Sequence, residues 1–423
     1  MLQAYFARGM NETAVFELFS RKLPAGRNFL VAAGLEQALD FIERFRFGEE
    51  ELDWIERSRL FRPGFAGTLA KLRFSGDVHA MPEGTVFFPD EPVLRVTAPI
   101  AEAQILETRV LNLIHFETVV ASKAARSVLA APGKSLIDFG LRRSHGAEAG
   151  LLAARASYLA GFAGTSTALA APRFGIPVFG TMAHSFVQAH DSEQEAFAHF
   201  AEVFPDNAVL LIDTYDTVEG ARKAVAVGRK QRIKGVRLDS GDLGALAKAV
   251  RPILDEGGQQ GAIIFASGSL DEHRIAELEA ARAPIDSYGI GTSLVTSADH
   301  PYLDAVYKLQ EYAGRARRKR SAGKATWPGR KQVFRHYAED GRFARDVVSV
   351  DGDAQSGEPL LRAVMLRGRR LPQPNLAAAR AHAVAQLARL PERLRSLAPA
   401  EPYPVAIAPA LRALAEEVDN HVR

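Results

Sequence analysis

Residues 208–216 read AVLLIDTYD, and three later stretches repeat their pattern of a short apolar run that ends in polar or glycine residues: GVRLDSGD (235–242), AIIFASGS (262–269) and PIDSYGIG (284–291). Ala-rich helical segments lie between them. The successive strand ends are 26, 28 and 22 residues apart, at Asp213, Asp239, Ser267 and Gly289. This period is typical of βα units that build a parallel sheet. So many polar and glycine strand ends favour a barrel with its site at the carboxyl rim, and an open doubly wound sheet is the alternative.

The composition excludes several classes of protein. The chain has 423 residues, enough for two or three domains, and its 24% charged and 47% hydrophobic residues are an ordinary globular balance. A net charge of +3 is nearly neutral, so the surface as a whole is not expected to bind nucleic acid. Cysteine is absent, which excludes disulfides, thiolate metal sites and cysteine nucleophiles. We find no membrane-spanning run and no evident signal peptide, and we expect a cytoplasmic protein.

Outside the βα region the pattern changes several times. Residues 1–60 are predicted to be helical, and residues 76–99 are predicted to form a β-rich unit with tight turns. Residues 101–130 return to helix, and the chain from about residue 375 is again helical in pattern. Residues 314–335 hold nine Arg and Lys and no acidic residue, which predicts a solvated or phosphate-facing loop. RNA binding by this run is a weaker alternative.

Two aspartates close consecutive predicted strands. Asp213 and Asp239 can hold a sugar diol or Mg²⁺, which prefers carboxylate oxygens together with substrate phosphates. Alternatively, each can cap the helix that follows it, as Asp-Thr and Asp-Ser sequences do. Arg237 lies two residues before Asp239 and therefore on the same strand face. Because a paired Arg and Asp inside a barrel is costly unless it is used, we favour a functional pair.

Four short segments complete the set of candidates. ASGS (266–269) and GIGT (289–292) end the next two strands, and their small residues let backbone N–H groups approach an anion. DFGLRRSHG (138–146) sets an aromatic ring beside two arginines, which by itself predicts only a helix start with exposed arginines. GTMAHSF (180–186) contains His184, and the residues alone favour a buried core histidine there.

Taken together and in register, these segments resemble the nicotinate phosphoribosyltransferase family. The similarity rests on seven motifs: DFGLRRSHG, GFAGTSTALA, FGIPVFGTMAHSF, LLIDTYDT, VRLDSGDL, FASGSLDE and YGIGTSLVTS. Further similar stretches are MLQAYFARGMNETAVFELFSRKLP, APIAEAQILETRVLNLIHFET and YKLQEY…KRSAGKATWPGRKQV. The resemblance therefore extends over nearly the whole chain.

This resemblance implies an enzyme of the ligase class that acts in NAD salvage. It would form nicotinate mononucleotide from nicotinate and 5-phosphoribosyl 1-pyrophosphate, coupled to ATP hydrolysis, with Mg²⁺ carried by the substrate phosphates. The implied fold is an irregular α/β barrel over residues 111–310 and an α+β domain over residues 1–110, joined by about 320–365, with a C-terminal helical segment at 366–423. A homodimer with shared active sites is implied, and no membrane or nucleic-acid partner.

The resemblance also implies which side chains bind the base. Phe139 would stack on the pyridine ring, and Arg142 would face its carboxylate. Thr165 and Ser166 are further implied substrate-binding residues, and Ser166 matches a position where nicotinamide-specific relatives carry an Asp. Family members are expected to carry a stretch like TDLYQLT ahead of MLQAYF, whose Tyr stacks on the base from the partner subunit. The sequence begins inside this motif, so we expect an active enzyme with weakened nicotinate affinity.

The remaining implied roles concern phosphates. Asp213, Arg237 and Asp239 would line the ribose and pyrophosphate, with Asp239 near Mg²⁺. His184 would be phosphorylated by ATP, which reverses the interpretation as a core histidine. The implied 5′-phosphate loops contain Ser267, Gly268, Gly289, Gly291 and Thr292, and the implied contacts to pyrophosphate or ATP are Arg21, Lys308 and Lys319.

Other functions remain open at this point. Quinolinate and nicotinamide phosphoribosyltransferases have the same fold and are alternative functions. A quinolinate enzyme is disfavoured, because those enzymes lack a phosphorylated histidine motif. A third possibility, from another class, is a remnant of the family that binds nucleotide without turnover.

Overall fold

The chain folds into two units that interleave along the sequence. Residues 120–301 form one, called the α/β unit, and residues 1–119 together with the chain from residue 302 form the other, called the discontinuous unit. The computed structural model describes residues 1–421, so the last two residues of the predicted segment 366–423 lie outside it. The rest of that segment belongs to the discontinuous unit. Among the helices of residues 1–421, none is long and apolar enough to cross a membrane.

The helices and strands of both units have the following bounds. The α-helices are Leu2–Ala7 (α1), Leu35–Arg44 (α2), Glu49–Ser58 (α3), Phe65–Ala70 (α4), Ile100–Ile105 (α5), Glu107–Ala130 (α6), Ala147–Leu159 (α7), Ala170–Phe174 (α8), His184–Gln188 (α9), Glu193–Val203 (α10), Thr217–Gly228 (α11), Leu243–Glu256 (α12), Glu272–Ala280 (α13), Thr292–Val295 (α14), Leu376–Arg389 (α15), Glu392–Arg395 (α16) and Pro409–His421 (α17). The strands are Thr13–Ser20 (β1), Leu30–Val31 (β2), Asp77–Ala80 (β3), Val86–Phe87 (β4), Pro92–Pro99 (β5), Ser135–Asp138 (β6), Gly164–Thr165 (β7), Val209–Leu211 (β8), Gly235–Leu238 (β9), Ile263–Ala266 (β10), Ser287–Ile290 (β11), Ala305–Tyr312 (β12), Arg315–Ala316 (β13), Lys331–Tyr337 (β14), Phe343–Val350 (β15), Glu358–Pro359 (β16), Arg362–Leu366 (β17), Arg369–Arg370 (β18) and Val405–Ile407 (β19).

The α/β unit is built on a sheet of six strands in the order β7-β6-β11-β10-β9-β8. Helices α11, α12 and α13 join strands β8 to β11, which confirms the predicted βα alternation. All neighbouring strands pair in parallel, so their carboxyl ends share one edge. Within residues 1–421 no ladder joins β7 to β8, and Thr165 forms only an isolated bridge to Val178. The predicted α/β class is confirmed as a parallel sheet with alternating helices, and the ladders of the described residues do not close it into a barrel.

The starts of the helices decide between the two interpretations of the strand-end aspartates. α11 is capped by the side chain of Asp216 and α12 by that of Asp242, each accepting hydrogen bonds from backbone N–H groups of the first turn. Asp213 and Asp239 lie three residues earlier in each case. The capping interpretation of these two residues is therefore wrong, and their carboxylates are available for other contacts.

The discontinuous unit contains a seven-stranded sheet, β13-β12-β1-β5-β3-β17-β18, and a four-stranded sheet, β16-β14-β15-β19. The predicted β-rich unit at 76–99 is confirmed as β3 to β5, and the predicted helix at 101–130 as α5 and α6. Residues 1–60 are not uniformly helical as expected, because β1 pairs with both β12 and β5. Seven of its eight residues are buried. A strand covered on both faces lacks the polar alternation by which a sequence reveals a strand.

A buried ion pair joins β14 to β15 in the smaller sheet. Arg335 and Asp346 are both fully buried, and Nε and Nη2 of the arginine lie 3.0 and 2.6 Å from the carboxylate oxygens. The guanidinium carbon lies 4.2 Å from the centre of the Phe343 ring, and the Tyr403 hydroxyl donates to Asp346 at 3.0 Å. Burial, reinforced by the charge of Asp346, raises the pKa of Glu91 well above its ordinary value. The neutral form of Glu91 is thereby favoured, which leaves the pair balanced in charge.

We expect Arg335→Met to destabilise the protein strongly, because it leaves the Asp346 carboxylate buried without its cation. Breaking a buried pair in this way costs about 3–5 kcal/mol in the free energy of unfolding, measurable by urea titration. Arg342→Met is the control in the same unit, since Arg342 and Asp340 pair at 3.5 Å with side chains 43% and 62% exposed. The control should shift the urea midpoint little. Equal decreases in the free energy of unfolding of the two variants would show that the buried pair is no more important for stability than the exposed one.

Candidate active site

A cavity of about 820 Å³ opens at the carboxyl edge of the parallel sheet and is lined by residues of the α/β unit alone. The sequence-predicted residues on its wall are Phe139, Arg142, Ser166, His184, Arg237, Asp239, Ser267, Gly268, Gly289, Gly291 and Thr292. Two further predicted residues of this unit, Thr165 and Asp213, are not on the wall and support it through hydrogen bonds. The structure thus brings most of the predicted site together in one place.

Arg237 of β9 holds several segments together. Its Nε donates to Ser267 Oγ at 2.7 Å, its Nη1 to Thr181 Oγ1 at 2.8 Å and its Nη2 to Asp239 Oδ1 at 2.7 Å. The guanidinium carbon lies 5.4 Å from the centre of the Phe139 ring. We call these five residues the Arg237 cluster. The prediction that Arg237 and Asp239 share one strand face is confirmed.

Asp239 connects this cluster to His184. Its Oδ1 also accepts a hydrogen bond from Ser267 Oγ at 2.5 Å, and its Oδ2 lies 3.6 Å from Nε2 of His184. Burial acts to raise the pKa of Asp239, but the Arg237 guanidinium and the Ser267 hydroxyl lower it by more, so the pKa lies below its ordinary value. Asp239 is therefore an ionised carboxylate at neutral pH.

His184 begins helix α9, and its side chain is 40% exposed. The interpretation as a buried core histidine, drawn from the residues alone, is therefore wrong. Nδ1 lies 3.1 Å from Oγ1 of Thr214, three residues beyond the end of β8. When Nδ1–H donates to this hydroxyl, the lone pair is on Nε2, the nitrogen that faces Asp239. An imidazole oriented in this way on a cavity wall can act as a nucleophile or as an acid–base group.

Asp213 supports the turn that follows β9. Its Oδ2 accepts hydrogen bonds from the backbone N–H of Asp239 at 2.9 Å and from Ser240 Oγ at 2.6 Å. Its Oδ1 is buried and has no hydrogen-bond partner within residues 1–421. No three His, Asp or Glu side chains of the described chain come together as a metal site. One free carboxylate oxygen beside Asp239 fits a divalent cation that a substrate phosphate brings with it, since Mg²⁺ needs few protein ligands.

Close contacts explain the glycines at two strand ends. Gly268 has a φ of +94°, and a Cβ there would lie 2.0 Å from the carbonyl oxygen of Asp239. A Cβ at Gly289 would lie 2.8 Å from the ring of Phe139, and one at Gly291 would lie 3.1 Å from the carbonyl oxygen of Phe139. The loops after β10 and β11 therefore face the cavity with little side-chain cover, as a phosphate-binding loop does.

Asp138 holds together the two turns that carry Arg142 and Ser166. Its Oδ2 accepts from Thr165 Oγ1 at 2.7 Å, its Oδ1 accepts from the N–H of Gly140 at 2.8 Å, and its carbonyl oxygen accepts from the N–H of Ser166 at 2.8 Å. Burial outweighs the hydrogen bonds to the carboxylate and raises its pKa from the ordinary 3.8 to about 6. The Thr165 hydroxyl is thus committed to Asp138, and Thr165 shapes the wall from behind.

Sequence reasoning missed three residues that orient the site: Asp138, Thr181 and Thr214. All three lie inside motifs quoted above, so their positions were available. Their roles could not be predicted, because the hydrogen-bond partner of a hydroxyl or carboxylate is known only once the fold has brought distant segments together.

The three cations assigned by resemblance to pyrophosphate or ATP belong to the discontinuous unit. Arg21 pairs with Asp304 at 3.5 Å, and Lys308 pairs with Glu107 at 3.5 Å. Lys319 is exposed between β13 and β14. The roles assigned to these cations remain predictions.

The raised pKa of Asp138 predicts a pH-dependent contribution to stability. Because ionisation is harder in the folded chain than in the unfolded one, stability present at low pH is lost as the pH rises from about 4 through 6. The side chain introduced by Asp138→Asn is uncharged at every pH, so the variant does not lose stability through ionisation at this position. From pH 4 to pH 7 its free energy of unfolding should gain about 2 kcal/mol relative to wild type. Urea titrations over this range provide the measurement, and parallel pH profiles would contradict the prediction.

Comparison with known proteins shows the family. Models of the nicotinate phosphoribosyltransferase N-terminal domain, family region and C-terminal domain match residues 1–115, 134–320 and 349–415. A nicotinate phosphoribosyltransferase of Mycobacterium tuberculosis is 52% identical over 414 residues, covering 96% of this chain and 89% of that protein. One of Bacillus subtilis is 42% identical over 347 residues, covering 79% and 71%. The crystal structure of human nicotinic acid phosphoribosyltransferase superimposes with a TM-score of 0.88 at 29% identity, over 99% of this chain and 98% of that one. The chain therefore belongs to the nicotinate phosphoribosyltransferase family of enzymes.

Proposed function

We propose that the cavity binds nicotinate and 5-phosphoribosyl 1-pyrophosphate and joins them into nicotinate mononucleotide, for NAD salvage, with ATP hydrolysis coupled to the transfer. The observation that carries this proposal is the composition of one wall. An arginine and an aromatic ring, an ionised Asp beside an accessible His, and two loops with little side-chain cover all line the same cavity. Together they match a carboxylated ring, a reacting centre and a phosphate.

The base would occupy the side of the cavity that Asp138 organises. Arg142 and Ser166 are both exposed on the wall, where Phe139 also contributes its ring. A guanidinium pairs well with a carboxylate, and an aromatic face suits a flat heteroaromatic ring. Ser166 carries no charge that would repel a carboxylate, which favours nicotinate over nicotinamide.

The phosphoribosyl group would occupy the opposite side. The loops that contain Ser267, Gly268, Gly289, Gly291 and Thr292 would receive the 5′-phosphate. Asp239 on the wall would face the ribose and pyrophosphate, and Asp213 would contribute from behind the wall, beside the turn that it supports. Both carboxylates fit a Mg²⁺ carried by the pyrophosphate, since Asp213 Oδ1 is unpartnered within the described chain. When bound, this ion neutralises charge on the leaving group. Arg21, Lys308 and Lys319 are proposed as further phosphate contacts.

The transfer follows from this arrangement. The pyridine nitrogen donates its lone pair to the anomeric carbon while the bond from that carbon to the pyrophosphate oxygen breaks, and the electron pair leaves with pyrophosphate. Positive charge develops on the ribose in the transition state. The ionised Asp239, kept charged by Arg237, is suited to stabilise it. Most of the remaining rate enhancement comes from holding the ring and the anomeric carbon in line.

His184 would couple this step to ATP. Nε2 attacks the γ-phosphorus of ATP, the bond from that phosphorus to the bridging oxygen breaks, and ADP leaves with the electron pair. Water later cleaves the P–N bond and releases phosphate. Thr214 at 3.1 Å from Nδ1 orients the imidazole for this reaction, and Asp239 at 3.6 Å from Nε2 can balance the positive charge of the phosphorylated ring.

Two further expectations accompany the proposal. The active form is a homodimer that shares its active sites, and the cytoplasm is the location that the sequence predicts. Both remain predictions.

The decisive assay measures nicotinate mononucleotide formed from nicotinate and 5-phosphoribosyl 1-pyrophosphate, with and without ATP. Product in the presence of ATP, at a higher rate than in its absence, is the expected result. A remnant that binds nucleotide without turnover would form no product under either condition, and that result would contradict the proposal.

We expect His184→Ala to abolish ATP hydrolysis and ATP stimulation while leaving slow ATP-independent transfer, because the ribose-binding groups remain. The wild type should also take up acid-labile labelled phosphate from γ-labelled ATP, and the variant should not. His190→Ala is the matched control, since His190 bonds to Phe186 and His199 and does not line the cavity. It should keep both ATP-dependent properties. Full ATP coupling in His184→Ala would show that the histidine is not the phosphorylated residue.

We expect Ser166→Asp to raise the KM for nicotinate by about 10- to 100-fold, because a second carboxylate would then face that of the substrate. Use of nicotinamide should rise, since the new carboxylate accepts from its amide. Ser166→Asn is the matched control, being similar in size to Asp and uncharged, and its effect on nicotinate should be several-fold smaller. Equal effects of the two substitutions would mean that space, and not charge, sets the preference.

A further inference from the structure

Next to the two phosphate loops lies a buried cluster of charges that the proposed mechanism does not use. We call it the Lys123 cluster: Lys123, Arg126, Glu272 and Asp299. Nζ of Lys123 lies 2.7 Å from Oε2 of Glu272 and 2.9 Å from Oδ1 of Asp299. Nε of Arg126 donates to the other oxygen of Glu272 at 3.0 Å. The side chains of Lys123 and Glu272 are 3% and 0% exposed, and two cations balance two carboxylates.

The two carboxylates follow different loops of the cavity in the sequence. Glu272 is the first residue of α13, directly after the loop 267–271 that follows β10. Asp299 lies in the segment 296–301 that follows α14, beyond the loop after β11. The cation between them comes from α6, which contributes nothing to the cavity wall. One buried ammonium group therefore ties the start of α13 and the segment after α14, which follow the two phosphate loops in the sequence, to a common support.

Strained residues lie in the loop after β10 and in the segment after α14, and both need support from surrounding contacts. Ser269 and Ser297 have φ values of +49° and +44°, in the left-handed region that residues with a Cβ rarely adopt. Such conformations persist only when surrounding contacts impose them. Ser293 Oγ donates to the carbonyl oxygen of Leu270, which is one direct link between the loops. The Lys123 cluster is a second link.

We infer that Lys123 is a positioning residue for the phosphoribosyl site. Through Glu272 and Asp299 it sets the spacing of the two loops, and thereby the arrangement in which their backbone N–H groups meet the 5′-phosphate. The inference rests on the proposed function, from which the phosphate role of the loops comes. A purely structural lysine would affect stability alone, whereas a positioning lysine affects phosphate affinity and spares nicotinate affinity.

The test compares Lys123→Met and Asp299→Ala with wild type, using calorimetric titration with ribose 5-phosphate. Each substitution should weaken binding by about tenfold, because small displacements of binding groups have large effects on affinity. The KM for 5-phosphoribosyl 1-pyrophosphate should rise in parallel, while the KM for nicotinate stays within about twofold. The double variant should bind about as weakly as either single variant, since both break one linkage.

Lys223→Met is the matched control. Lys223 pairs at 3.0 Å with Glu193, which is also a buried first residue of a helix, with its side chain 1% exposed. This pair does not connect the phosphate loops. The control should lose stability in urea titration and keep the wild-type affinity for ribose 5-phosphate.

The outcomes separate the inference from the proposed function. If wild type binds ribose 5-phosphate and both variants bind it equally well, the inference is overturned and the proposed function stands. If wild type itself does not bind it, the assignment of the loops fails and the inference fails with it. Should Lys123→Met not fold, Asp299→Ala decides alone, because Asp299 is 29% exposed and its loss leaves Lys123 paired with Glu272.

Discussion

The guanidinium of Arg237 joins parts of the α/β unit that are far apart in the sequence. It donates to Ser267 after β10, to Thr181 in the segment before α9 and to Asp239 after its own strand, and it lies over the ring of Phe139 after β6. A cation with a side chain only 16% exposed must find acceptors inside the protein. These segments can satisfy it only in one parallel register, because a shift by one residue would turn Arg237 to the other face of the sheet.

The same contact explains why the pKa values of two strand-end aspartates of one sheet are shifted in opposite directions. Asp239 has a lowered pKa, since the positive charge of Arg237 outweighs the effect of burial. Asp138 receives hydrogen bonds only from neutral donors, and burial raises its pKa to about 6. One residue type near the ends of two strands thus lies on the cavity wall in one case and supports the wall from behind in the other. The presence or absence of a neighbouring positive charge decides whether the pKa of the aspartate is lowered or raised.

Buried ion pairs hold distant segments together throughout the protein. Nζ of Lys331 in β14 lies 2.7 Å from Glu17 in β1, with side chains 3% and 0% exposed. The pair of Arg335 and Asp346 joins β14 to β15, and the Lys123 cluster joins α6 to two loops. Burying charges in this way contributes little net stability, but an unpaired partner would be severely unfavourable. Such pairs therefore select one arrangement of the chain over its alternatives.

The sequence by itself determined the order of the βα units, the α/β class and the positions of most residues on the cavity wall. The βα order follows from apolar runs and their spacing, whereas the assignment of Phe139, Arg142, Ser166 and His184 to the site came from the resemblance of their motifs to a known family. Only the tertiary structure decided that β1 is a strand, that Asp216 and Asp242 rather than Asp213 and Asp239 cap the helices, and that His184 is accessible. The roles of Asp138, Thr181 and Thr214 in orienting the site could likewise not be predicted from the sequence. Each depends on which distant segment becomes a neighbour in space, and no local pattern of residues encodes a distance between segments that meet only in the folded chain.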